Sequence, residues 1–104
     1  MTTEIIIDQQ VLQSEIDLKR QFKAELEAEV EGLKSEASLL KKRQDVLTLA
    51  TEGMKSGIDL TIINDEIKSL NDEIWRILET LNKRNNAIEH YERLLERLEE
   101  LKNV

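Results

Sequence analysis

The sequence predicts an all-α protein, an antiparallel helical hairpin of two long helices with coiled-coil packing, and three observations carry that prediction. Residues 60–102 hold a sustained 3-4 apolar repeat, residues 5–47 hold a second one, and a short stretch with two of the three glycines lies between them. Apolar residues spaced alternately three and four apart fall on one stripe of a helix, whereas a half-buried strand would need alternation every second residue. The whole chain, 1–104, reads as a single domain, with arm 1 over about 9–51, a turn over about 52–60 and arm 2 over about 61–102.

In arm 1 the heptad d positions are Ile5, Leu12, Lys19, Leu26, Leu33, Leu40 and Leu47, and Ile16, Val30 and Ala37 fall at a. Gln9, Lys23 and Gln44 fill other a positions and weaken the seam. A competing path through Leu18, Phe22, Leu26 and Val30 advances by fours and points to a local change of winding. Both paths are helical, and they differ in the face that meets a partner.

The turn covers Thr51 to Leu60 and includes Gly53 and Gly57. A glycine inside a helix costs ~1 kcal/mol relative to alanine. The repeat also slips here: arm 1 carries d forward to Met54, while the frame of arm 2 puts d at Ser56. At ~100° per residue, a two-residue slip swings the seam by about 200°. One unbroken rod could not keep a single seam through that, so the chain is expected to fold back near Lys55 and Ser56. Ser56, Asp59 and Thr61 are the candidate N-caps of arm 2, followed by Asp65 and Glu66 as first-turn acids.

Arm 2 is the cleaner helix. Its a positions are Leu60, Ile67, Ile74, Leu81, Ile88, Leu95 and Lys102, and its d positions are Ile63, Leu70, Ile77, Arg84, Tyr91 and Leu98. Only Arg84 and Lys102 break the apolar rule.

Antiparallel pairing makes a prediction about charge. With the turn at 55–56, residue i faces roughly residue 111 minus i. Lys41, Lys42 and Arg43 then lie beside Asp65, Glu66, Asp72 and Glu73. Glu25, Glu27, Glu29 and Glu31 lie beside Lys83 and Arg84, with Glu27 the expected neutraliser of Arg84. Lys19, Arg20 and Lys23 meet Glu89, Glu92 and Glu96, while Glu15 and Asp17 meet Arg93 and Arg97. Exposed pairs add only ~0.2–1 kcal/mol each, but a slipped register would set like charges together. Alternating charge blocks also occur on any solvated helix, and pairing between two chains would satisfy the same pattern.

The apolar residues outnumber those one seam uses. Val11, Leu18 and Phe22 of arm 1 are expected close to Ala87, Leu94 and Leu101 of arm 2. Leu39, Val46 and Leu49 form a second group near the turn, with Trp75 and Leu78 expected across from them. This surplus predicts self-association, as a dimeric four-helix bundle over part of the length. Leu18, Phe22, Leu94, Leu101, Trp75 and Leu78 are the candidate dimer or partner-binding residues. Trp75, the sole tryptophan, stands at heptad position b, and tryptophan is enriched where binding energy concentrates; packing over Leu78 on its own helix is the plainer alternative.

Composition restricts the chemistry. The 104 residues carry 22 acids and 15 bases, a net charge of -7, no cysteine and no proline, with 36 % charged, 39 % hydrophobic and 3 % aromatic residues. The pI is near 4.8. Without cysteine there is no disulfide framework, thiolate metal site or thiol nucleophile. No run approaches the ~18 apolar residues of a membrane span, and residues 1–8 do not read as a secretory signal. A cytoplasmic, intracellular setting is expected. Negative charge argues against direct contact with nucleic acid, whose phosphates demand Lys and Arg.

His90 is the only histidine, and Ala87 stands where a ferritin-like di-metal site needs Glu three residues before it. Gly32, Gly53 and Gly57 form no phosphate-cradling loop. Ser14, Ser35, Ser38, Ser56 and Ser69 have no histidine–carboxylate arrangement to activate them. The expectation is therefore no enzyme, no metal and no cofactor. The expected function is that of a coiled-coil interaction protein, acting as assembly factor, adaptor or regulator by presenting helix faces to a protein partner. The alternative is an acidic inhibitor, with Glu25, Glu27, Glu29, Glu31, Glu99 and Glu100 mimicking nucleic acid to block a basic site on a nucleic-acid-binding enzyme.

Overall fold

The computed structural model describes residues 5–54 and 57–103. Helix α1 is Gln9–Thr51 and helix α2 is Ile58–Lys102, and no strand occurs among the described residues. Their contacts divide into two compact units: unit 1 joins Met1–Glu29 to Arg84–Val104, and unit 2 is Val30–Lys83. Within each unit α1 and α2 run antiparallel and pack together, the all-α hairpin expected from the repeats. Among the described residues no helix is long and apolar enough to cross a membrane.

Helix α1 starts at an aspartate. The Asp8 carboxylate accepts hydrogen bonds from the amides of Gln10 (2.9 Å) and Val11 (3.2 Å), and its carbonyl accepts from the amide of Leu12 (2.9 Å). Asp8 is thus the N-cap, satisfying two amides that no helical carbonyl reaches and setting negative charge at the positive end of the dipole. At the other end the helix tightens. The amide of Glu52 donates to the carbonyl of Leu49 (3.3 Å), and that of Met54 to the carbonyl of Thr51 (3.0 Å). The Thr51 hydroxyl donates to the carbonyl of Thr48 (2.7 Å), so the last turn closes on local partners.

Helix α2 begins three residues earlier than the sequence suggests, and this corrects its capping. The amide of Thr61 donates to the carbonyl of Gly57 (3.1 Å), which opens the helical ladder at Gly57. Asp59 and Thr61 therefore lie inside the first turn rather than at its cap. Asp59 faces the positive end of the helix dipole, and the Thr61 hydroxyl turns back to the Gly57 carbonyl at 3.1 Å. Asp65 and Glu66 fall beyond that turn. Ser56, the third cap candidate, and the reversal point at Lys55 and Ser56 lie outside the described residues. No described glycine adopts a positive φ, so neither Gly53 nor Gly57 serves as a left-handed cap.

The heptad frame holds from Leu12 onward, while Ile5, expected at d, lies ahead of α1 and is exposed, as is Gln9 at a. From Leu12 to Thr51 every a and d residue of α1 is buried or half-buried, including Lys19, Lys23 and Gln44. In α2 every a and d residue is buried or half-buried except Arg84 and Lys102, the two that break the apolar rule. The seam thus follows the heptads and not the path of fours, along which Leu18 remains exposed. In unit 1 the core centres on Leu12 and on Ile16, the one side chain with 0 % exposure; in unit 2 it is Val30, Leu40, Leu70 and Leu81.

Candidate protein-interaction surface

The sides of each unit follow from its ion pairs. In an antiparallel pair of helices, g positions meet across one side of the seam and e positions across the other, with c and b flanking them. In unit 2, Arg43 and Glu66, both at g, pair at 3.8 Å. In unit 1, Arg20 and Glu99, both at e, pair at 2.6 Å. Residues at a lean toward the e side: Lys23 reaches Glu92 at 3.5 Å. Residues at d lean toward the g side: Arg84 reaches Glu29 at 2.9 Å, and the Tyr91 ring lies 6.1 Å from that of Phe22.

Three of the four charge blocks expected from the register make cross-helix pairs, with changes of partner that this geometry explains. Arg43 takes Glu66 as expected. Arg84 is neutralised by Glu29 and not Glu27, because d leans to the g side while Glu27 sits at e and holds Lys23 at 3.8 Å. Lys23 finds Glu92, whereas Arg20 passes Glu89 and Glu96, at the outward b position, and takes Glu99. The block of Glu15 and Asp17 with Arg93 and Arg97 makes no cross-helix pair. Asp17, Arg93 and Arg97 occupy b, f and c, away from the seam. Glu15 instead binds Lys19 at 2.9 Å and Arg97 approaches Glu100 at 3.9 Å.

Charged residues at core positions are accommodated through their stems. Lys19 packs its ammonium 5.6 Å from the centre of the Phe22 ring while holding Glu15, so its aliphatic chain stays in the seam and its charge reaches water. Gln44 donates to the main-chain carbonyl of Ile67 at 3.4 Å, a long bond within unit 2.

The candidate interface residues sort onto these sides. In unit 1, Leu18 (c), Phe22 (g), Leu94 (g) and Leu101 (g) share the g/c side with Val11 and Ala87. Leu18 and Leu101 are 38 % and 39 % exposed, while Phe22 and Leu94 are half-buried. Phe22 also belongs to the internal seam through Tyr91. The e/b side of unit 1 carries no large apolar residue; it holds Asp17, Glu27, Glu89, Glu92, Glu96 and Glu99. An open cleft on that side is lined by Arg20, Lys23, Glu92, Leu95, Glu96, Glu99, Glu100 and Asn103.

In unit 2, Trp75 (b) and Leu78 (e) lie on the e/b side, 60 % and 43 % exposed. Leu39, Val46 and Ile62 occupy c on the opposite side, with Leu49 and Ile58 at the outermost f positions, all exposed. This corrects the expectation that Trp75 and Leu78 stand across from Leu39, Val46 and Leu49: the seam separates the two groups. Val46 lines a shallow cleft with Lys42, Arg43, Leu47 and Glu66. Pair counting along the chain sets the level of a residue but not its side, which only the heptad letter gives.

His90 sits exposed at c, with its ring edge-on to Tyr91 at 5.7 Å. Glu89, Glu92 and Glu96 project on the e/b side of α2, away from it. Among the described residues no group of three metal-ligating side chains is assembled. No family model, curated protein or solved structure matches the chain.

Proposed function

We propose that this chain is a non-enzymatic coiled-coil interaction protein, an assembly factor, adaptor or regulator that works by presenting helix faces to protein partners, itself included. The observation that carries the reading is the large apolar surface left outside the seam, with Trp75 at its most exposed point among the aromatic residues. Long amphipathic helices of this kind recognise partners by laying apolar side chains at helical spacing into a complementary face. Trp75 and Leu78, one turn apart, are suited to be such an anchor pair. The reading includes a cytoplasmic setting, tested by fractionation of the native source.

The test is capture from native extract with crosslinking, comparing the wild type with Trp75→Ala/Leu78→Ala. A partner retained by the wild type in high salt and lost by the variant, with helicity unchanged, supports the reading. A partner bound equally by both removes Trp75 and Leu78 from it.

A second reading, an acidic inhibitor of a nucleic-acid-binding protein, draws on the acidic e/b side of unit 1. Against it, five of the six acids expected to do the mimicry hold a cation within 4 Å: Glu27, Glu29, Glu31, Glu99 and Glu100. Only Glu25 among them lacks one. Binding that collapses as salt rises would favour mimicry, because exposed charges are screened beyond ~10 Å at 0.1 M salt.

A further inference from the structure

The g/c side of unit 1 has a charge pattern that selects its own occupant. On α1 the g and c positions of this side read Val11, Glu15, Leu18, Phe22, Glu25 and Glu29, with acids alone among their charges, and Lys19 reaches onto it from d to hold Glu15 at 2.9 Å. On α2 they read Ala87, His90, Leu94, Arg97 and Leu101, with Arg97 the one charge. At g and c each helix edge is thus apolar with one sign of charge, and Glu15 and Glu25 of α1 are complementary to Arg97 of α2.

Within one chain Arg84, leaning from d, neutralises Glu29 across this side at 2.9 Å and Lys19 holds Glu15 on its own helix at 2.9 Å, whereas Glu25 and Arg97 make no ion pair across it. The Arg97 side chain is 82 % exposed and its nearest carboxylate, Glu100 on its own helix, is 3.9 Å away. A second copy laid on this side has two symmetric ways to sit. With the two-fold axis across the helices, α1 lies on α1, and acid meets acid. With the axis along the helices, α1 of each copy lies on α2 of the other, at the level the hairpin already uses. Leu18 then meets Leu94 of the other copy, Val11 meets Leu101, and Glu15 meets Arg97. We infer that unit 1 dimerises through its g/c side in this second arrangement, an up-down four-helix packing with a two-fold axis parallel to α1 and α2. The inference rests on the self-association in the proposed function and adds its face, its symmetry and its charge pairs.

The experiment uses the full chain. Wild type is expected as a dimer at micromolar concentration by sedimentation equilibrium. Glu15→Arg and Arg97→Glu each turn two attractive contacts into repulsive ones and should weaken the dimer about tenfold or more, with unchanged helicity. Mixed together, the two variants recover opposite charges at both symmetric contacts, and a heterodimer of wild-type strength should form. Because the chain has no cysteine, Leu18→Cys and Leu94→Cys chains give a second readout with a short thiol crosslinker. The mixture should crosslink efficiently and Leu18→Cys alone should not. A wild-type dimer that fails to recover in the mixture, or that crosslinks Leu18→Cys to itself, overturns the arrangement and leaves self-association standing. A wild type that assembles beyond two also overturns the arrangement alone, and one that stays monomeric overturns both.

Discussion

Replacing Arg84 by leucine tests how charge is used in the seam. Arg84 occupies a d position, and its Nε lies 2.9 Å from Glu29 with the two side chains 46 % and 53 % exposed. A pair so open to water contributes ~0.2–1 kcal/mol, and Glu29 left alone remains solvated, so its own penalty is small. Arginine and leucine have nearly equal helix propensity. The d residues on either side, Ile77 and Tyr91, are half-buried. Half of the ~1.5–3 kcal/mol for full burial of a leucine then gives about 1 kcal/mol gained. Arg84→Leu should therefore leave stability unchanged or raise it by up to about 1 kcal/mol, read as the midpoint of urea unfolding followed by circular dichroism. The loss to the protein would appear in register, as crosslinks between cysteines placed at more than one offset along the seam. A fall in stability of more than 1 kcal/mol would refute the reasoning, because the ion pair would then be a main stabiliser of unit 1.

Other substitutions probe separate links. Gly32→Ala should stabilise by about 1 kcal/mol, since the position is mid-helix with no positive φ and an added Cβ meets nothing within 4 Å; thermal unfolding measures it. Ile16→Ala removes a wholly buried side chain and should cost about 2–5 kcal/mol in denaturant unfolding, against less than about 1 kcal/mol for exposed residues nearby. Asp8→Ala deletes the cap of α1 and should cost about 1 kcal/mol, with amide exchange quickening first at Gln10 and Val11. Trp75→Ala should move stability by less than about 0.5 kcal/mol, given its exposure, and a larger loss would assign Trp75 to internal packing.

The helices and their seam were legible because burial follows a period, and a heptad needs no knowledge of tertiary structure to be read. The polar members of the seam, Lys19, Lys23 and Gln44, obeyed the frame because long side chains can bury a stem and still satisfy a polar tip. The boundaries were less legible where the decisive group carries no side-chain signal. Gly57 opens α2 with a main-chain carbonyl, whereas the side chains of Asp59 and Thr61, inside the first turn, resemble caps. Asp8 does carry a signal, an aspartate directly before the first helical residue. For the candidate surface, residue types identified the surplus apolar positions, but counting from the turn could not tell one side of the seam from the other. Counting alone therefore puts Glu27 at Arg84 and Trp75 across from Leu39.

The contrast between the sides of unit 1 limits how it can grow. Its greasy flank is single; the reverse carries carboxylates, amides and the Arg20 and Lys23 cations paired with them, on a chain whose total charge is -7. A body sticky on both flanks adds molecules without end, as fibres do. A unit with one adhesive flank can use it in a single encounter, so the dimer proposed above would close lateral growth through this unit after one step.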